Sequence, residues 1–406
     1  MSPYSLSFDF KDILRSPRIA LSGKKIWVFL VANLVGFISY WMFSYLAIYF
    51  SGFSFNNAIN KYGLYPFFIQ SEINSFGWIL YIIGILIWTI SLFLASTAIN
   101  RITLKQLKGN EFFSANEAWS YAFKYWHAVV FTPIAILIII SLFIFFAAIF
   151  GLIGKIPFFG VYLVTIPYII YFIGSLFTVY TGFVFITSLT SSPSIVAVYE
   201  EDTMGTVFQS YSITWSQPWR LIIYNILLIP IIFISVQLLS WFWLNSIGFI
   251  EYIFGNDLIM GNNFLSLSSY ATSLVFPNWI IDISVSMNDY IYSWINFRFE
   301  IPHLFSVSNN IILNSANPSQ SFPAIILSFS YFLIGLSILS YGLAVFSVGQ
   351  VMMFIIFKKK SDDDNVLDRK DEDEIEEELN NEQDDNILIN HSVTTSEKKK
   401  KRINKI

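Results

Sequence analysis

Charged residues along this chain fall almost entirely in the links between long uncharged apolar runs. Six runs stand out, over residues 26–50, 76–98, 128–153, 161–189, 221–247 and 322–357. A helix of about 20 apolar residues crosses the hydrocarbon core of a bilayer, and a charge placed inside it is costly. Each run therefore predicts a membrane-spanning helix, and the fold class is an all-α polytopic membrane protein with six transmembrane helices. Pro157 to Gly160 reads as the turn between the third and fourth spans, and Pro167 as a kink within the fourth. Residues 248–321 are polar and turn-rich, broken by apolar patches such as Trp279-Ile280-Ile281, and are expected as a loop outside the bilayer. The expected division is a membrane domain over 1–357 and a charged, disordered tail over 358–406.

Polar periodicity between the runs adds a second layer. Ala115, Ala118, Trp119, Ala122, Phe123 and Trp126 recur at helical spacing, with Asn116, Glu117, Ser120 and Lys124 on the other face. Ser114 and Glu117 form a capping-box pattern at its start. Met204, Val207, Phe208, Tyr211 and Trp215 repeat the arrangement before the fifth span, with Thr203 as the expected cap. Leu6, Phe10, Ile13 and Leu14 make a shorter version before the first, where Pro17 is expected to end the helix. Such amphipathic segments are suited to lie at the membrane interface, with Trp27, Trp126, Trp219 and Arg220 as interfacial anchors at the entrances to spans one, three and five. Six residues beyond each tryptophan stands a polar residue in otherwise apolar helix: Asn33, Thr132 and Asn225. The pattern suggests three units of about 95 residues, each an elbow helix followed by a transmembrane hairpin.

Charge sets the expected orientation. Lys11, Arg15, Arg18, Lys24, Lys25, Arg101, Lys105, Lys108, Lys124, Arg220 and Lys358 to Lys360 all fall on one side of a six-span chain, against Lys61, Lys155 and Arg298 on the other. Lysine and arginine are retained on the cytoplasmic side, so both termini are expected inside, in the cell (inner) membrane. The first run is too long for a cleaved signal peptide and is expected to stay in the mature protein. Composition agrees with the membrane class, at 55% hydrophobic and 13% charged residues, the latter about half the share of a soluble domain. The net charge of -4 averages an acidic tail with a body charged at its span ends, so its sign indicates no partner.

The stretch PSIVAVYEEDTMGTVFQSYSITWSQPWR, from Pro193 to Arg220, resembles a broad group of prokaryotic multi-pass proteins related to the membrane domain of glycerophosphoryl diester phosphodiesterases. The matching features are a span ending in Pro193-Ser194-Ile195-Val196, the acidic pair Glu200-Glu201, an amphipathic helix carrying Ser210, and Trp219-Arg220 at the next span. The similarity extends over residues 99–234. It implies architecture only, because catalysis in those phosphodiesterases belongs to a separate soluble barrel domain for which this chain has no room.

The inventory for chemistry is thin. The absence of cysteine excludes disulfides, thiolate metal sites and cysteine nucleophiles. The three histidines, His127, His303 and His391, are too scattered to form a metal site, and no phosphate loop, nucleophile elbow or His-Glu-x-x-His motif occurs. No catalytic, cofactor-binding or metal-binding residue is therefore assigned, and no cofactor is expected. The spans as drawn contain no ionisable side chain, which disfavours proton-coupled transport. Asn33, Thr132, Asn225, Gln237 and Gln350 are expected mainly to hydrogen-bond between helices, each for about 1 kcal/mol or less, with ligand contact as the alternative. Glu200, Glu201 and Asp202 are expected to complement a helix start, with contact to a cation or to Arg220 as the alternative. The expected partners are the lipid bilayer, a protein bound through the tail, and anionic lipid at Lys398, Lys399, Lys400, Lys401 and Arg402, with no nucleic acid. The reading that follows is a non-enzymatic scaffold or assembly component, with a permease or lipid-handling protein as the alternative.

Overall fold

The structure is a computed structural model and describes residues 6–68, 73–276, 293 and 321–371. Helices follow one another with short links: α1 (Phe10–Ile13), α2 (Ser16–Ala20), α3 (Gly23–Phe50), α4 (Phe55–Tyr62), α5 (Ser75–Leu107), α6 (Ala115–Lys124), α7 (Trp126–Ile153), α8 (Phe159–Thr165), α9 (Tyr168–Tyr199), α10 (Thr203–Ser216), α11 (Pro218–Phe254), α12 (Asn262–Val275) and α13 (Ser321–Ser361). Among the described residues there is no strand. Helices α3, α5, α7, α9, α11 and α13 are long and apolar enough to cross a membrane, so the chain is an all-α multi-pass membrane protein.

Local chemistry explains several helix ends. Ser114 and Glu117 cap α6 reciprocally: the Glu117 N–H donates to Ser114 Oγ at 3.2 Å, and the Ser114 N–H donates to Glu117 Oε2 at 2.8 Å. At α10 the cap is Asp202 rather than Thr203. The Asp202 backbone is extended, and its carboxylate accepts from the Gly205 N–H at 2.8 Å. Pro17 does not terminate a helix; it sits in the first turn of α2, where no N–H is required. Pro167 divides α8 from α9 outright instead of kinking one span.

Packing is cyclic. The second arms of the three hairpins, α5, α9 and α13, contact one another at the centre, and each pairs with its own first arm, α3, α7 or α11. Each elbow then packs on the hairpin before it: α6 on α5 and α3, α10 on α9 and α7, and α1 and α2 on α13 and α11. The first unit thus closes on the third. Small residues permit the closest approach, as at Gly84, where a Cβ would stand 3.1 Å from Phe43 Cβ and 3.2 Å from Tyr40 Cα.

Each elbow buries only part of the apolar face expected from its periodicity. In α6 the buried residues are Ala118, Tyr121 and Ala122, set against α5. In α10 they are Thr206, Val207, Ser210, Ile213 and Thr214, while Phe208 and Trp215 are 68% and 77% exposed. On α10 the large Phe208 and Trp215 face outward, whereas on α6 Trp119 packs against the core beside the buried Ala118 and Ala122.

Several element boundaries differ from expectation, among them the end of α9, which runs on to Tyr199 instead of stopping at Leu189. Helix α5 runs on to Leu107 instead of stopping at Ala98, carrying Arg101 and Lys105 inside a continuous helix. Residues 248–321 do not begin as loop: α11 continues to Phe254, and α12 packs on α13. The Trp279-Ile280-Ile281 patch lies outside the described residues. The ordered chain also does not stop at 357, because α13 reaches Ser361 and a 3-10 turn at Val366–Asp368 follows. Lys398 to Arg402 lie outside the described residues.

Candidate functional site

The site is built from the ends of the central helices where the lysines and arginines gather. Ser96 of α5 and Ser347 of α13 share a hydrogen bond of 2.8 Å, and Asn100 Nδ2 of α5 donates to Ser194 Oγ of α9 at 3.0 Å. Next along α5 comes Arg101, fully buried at 0% exposure. Lys105 and Lys108 follow at i+4 and i+7, so the three cations share one stripe of the helix.

A buried guanidinium is stable only if its charge and its N–H groups are met. Arg101 Nη2 lies 2.6 Å from Glu200 Oε1 and 3.4 Å from Asp371 Oδ2. Its Nη1 donates to the Ala197 carbonyl at 3.2 Å, and its plane lies 4.3 Å from the centre of the Tyr121 ring. Tyr121 in turn donates to the Val196 carbonyl at 2.7 Å. Burial pushes the Tyr121 phenol well above its ordinary pKa, against an opposing pull from Arg101, so it stays neutral and donates.

Asp371 completes the cluster. Lys105 Nζ stands 2.8 Å from Oδ2 and Lys108 Nζ 2.7 Å from Oδ1. Burial on its own would raise the Asp371 pKa, but Arg101, Lys105 and Lys108 outweigh it and hold the carboxyl below its ordinary value. The chain leading to Asp371 is tied down as well. Tyr199 Oη donates to Asp364 Oδ2 at 2.8 Å, Arg369 lies over the Tyr199 ring at 4.8 Å, and Lys108 Nζ also donates to the Arg369 carbonyl.

The residues expected from sequence to matter are spread over separate helix seams. Asn33, 1% exposed, donates to Ser340 Oγ at 3.1 Å and accepts from Trp88 Nε1 at 3.2 Å, joining α3, α5 and α13. Thr132 donates to the Ala128 carbonyl at 2.6 Å and reaches the Thr203 carbonyl at 3.4 Å, joining α7 to the start of α10. Asn225 donates to the Leu221 carbonyl at 2.8 Å and accepts from Gln350 Nε2 at 2.7 Å, joining α11 to α13. These three share no hydrogen-bond partner. Trp27, Trp126 and Trp219 are exposed on the outside of the bundle, and Arg220 stands 5.0 Å over the Trp219 ring while donating to Gln217 Oε1 at 3.1 Å.

The sequence marks Arg101, Lys105 and Lys108 only as orientation charges, Glu200 only as an acid near a helix start, and Asp371 only as part of the acidic tail. The available signal was the i, i+4, i+7 spacing of the cations, with Gly109 at φ +100° marking where the helix ends. Glu200 is not a helix-start acid; it terminates α9 in the left-handed region at φ +58°. Chemically the cluster sets the buried Arg101 and two lysines against the carboxylates of Glu200 and Asp371. Among the described residues, no three His, Asp or Glu side chains gather as a metal site.

Comparison with family models, curated proteins and solved structures gives no significant match to this chain.

Proposed function

We propose that this protein is a non-enzymatic membrane scaffold that presents its C-terminal tail to a protein partner from a fixed point beneath the central helices. The observation that carries the reading is the seating of Asp371 on Arg101, Lys105 and Lys108, which anchors the start of the acidic tail. The interior polar side chains of Asn33, Thr132 and Asn225 serve helix packing, which leaves the tail as the natural contact surface. The lysine and arginine bias supports a cell (inner) membrane location with both termini cytoplasmic. Lys398 to Arg402 would add attraction to anionic lipid. The resemblance to phosphodiesterase membrane domains supports the architecture and brings no catalytic role. Cross-linking and co-purification from native membranes tests this reading: a partner recovered with the full chain should be lost when residues 361–406 are removed. A chain recovered alone, indifferent to that truncation, argues against it.

A second reading, lipid handling, is favoured by an apolar cleft between α11, α12 and α13. Leu244, Ile247, Phe276, Ile334 and Ile338 line it, and Ser268, bonded to both Glu251 and Tyr331, sits beside it. An alkyl chain fits such a lining. Purified protein should then retain a specific lipid that Ile338→Trp expels; retention unchanged by that substitution counts against this reading.

A further inference from the structure

We propose that the cleft between α11, α12 and α13 takes an aminophospholipid of the bilayer, with Glu251 as the counter-ion of its primary ammonium group. The proposal rests on the lipid-handling reading of that cleft and names what the cleft selects.

The three helices each carry a stripe that runs from polar to apolar. Glu251 and Leu244 stand seven residues apart on α11, Tyr331 and Ile338 seven apart on α13, and Ser268 and Phe276 eight apart along α12 and its end. Two turns of helix separate the two ends by about 11 Å. Glu251 lies three residues before the end of α11, at headgroup depth, while Leu244, Phe276 and Ile338 line the apolar end.

Hydrogen-bond accounting fixes the chemistry of the head. Ser268 is 1% exposed and donates its one proton to Glu251 Oε1, so the 3.0 Å bond between Ser268 Oγ and Tyr331 Oη takes its proton from Tyr331. Both hydroxyl protons are used inside the cluster, and what is left is the acceptor capacity of a carboxylate. Glu251 is half-buried, and among the described residues no lysine, arginine or histidine pairs with it. A carboxylate drawn out of water without a cation is costly. A primary ammonium supplies both the charge and the N–H donors, and charge-assisted bonds of this kind are the strong ones. An anionic headgroup without an amine would meet a like charge and no free hydroxyl donor, so the same cluster rejects it.

The test uses the full chain in nanodiscs of equal parts phosphatidylethanolamine and phosphatidylglycerol with the same acyl chains, read by native mass spectrometry after release from the bilayer. Phosphatidylethanolamine should be retained roughly tenfold over phosphatidylglycerol. Glu251→Gln keeps the shape and removes the charge, so lipid should still be retained with that preference gone. Glu251→Asp keeps the charge and should keep much of the preference. In the unaltered chain, dodecylamine should displace the retained phosphatidylethanolamine at about tenfold lower concentration than dodecanol, which has the same alkyl chain and no charge. Lipid retained without a headgroup preference, or with a preference unchanged in Glu251→Gln, overturns the proposal and leaves the lipid-handling reading standing. No lipid retained, or retention that survives Ile338→Trp, removes that reading and the proposal with it.

Discussion

Arg101 Nη2 lies 2.6 Å from Glu200 Oε1, and Glu200 holds that position with a left-handed backbone at φ +58°. The left-handed region costs a non-glycine residue about 1 kcal/mol or more, so the end of α9 accepts backbone strain to deliver a carboxylate to a buried guanidinium. Glu200→Gln keeps the strain and removes the charge, whereas Glu200→Gly removes both. Both should destabilise the protein, Glu200→Gln by about 3–5 kcal/mol and Glu200→Gly by roughly 1 kcal/mol less. Unfolding in detergent measures the difference. Equal losses would remove strain from the account.

Asp371 should make docking of the tail segment pH-dependent. Its folded pKa is depressed, so its contribution is present above the ordinary carboxylate pKa, near 4, and is lost as pH falls through the folded value. A spin label at Lys370→Cys should therefore remain immobile at pH 5 and become mobile only below about pH 4. Lys108→Ala should move that release to higher pH, because one of the charges holding the carboxyl ionised is gone.

The α3–α5 hairpin depends on Gly36. A Cβ there would stand 2.1 Å from Trp88 Cδ1, so Gly36→Ala must displace the ring that donates to Asn33. A loss of about 1–3 kcal/mol is expected. Gly174→Ala, with nothing within 4 Å of its added Cβ, is the control and should unfold like the parent chain.

Asn33→Leu and Asn225→Leu should cost stability and nothing else. Each removes a helix-to-helix hydrogen bond worth about 1 kcal/mol or less, with Asn33→Leu the costlier because Ser340 and Trp88 both lose a partner. Retained lipid, measured by native mass spectrometry, should be unchanged. Selective loss of one lipid would assign these positions a ligand role instead.

Sidedness is directly testable. Single cysteines at Ser308 and Ser361 should label from opposite faces of the membrane, Ser308→Cys from outside and Ser361→Cys from inside. Equal accessibility of the two would refute the six-span topology.

Sequence alone determined the six apolar helices, because exclusion of charge from hydrocarbon is a local rule that each run obeys independently. It also specified the Ser114–Glu117 cap, whose partners are three residues apart. The ends of α5 and α9 were not legible. Hydropathy ends a span at its first charge, but Arg101 and Lys105 continue α5 because their charges are met by residues remote in the chain. Glu200 is 99 residues from Arg101 and Asp371 is 270, and no spacing rule reaches that far. The buried face of α10 was likewise decided by packing, since small residues such as Ser210 and Thr214 let helices approach where large ones would hold them apart, whereas Ala118 and Ala122 of α6 lie on the face its periodicity marked. Which residues could enter the bilayer was written locally; which charges could be buried at its edge depended on the tertiary fold, because a buried ion is stable only where partners from separate helices converge on it.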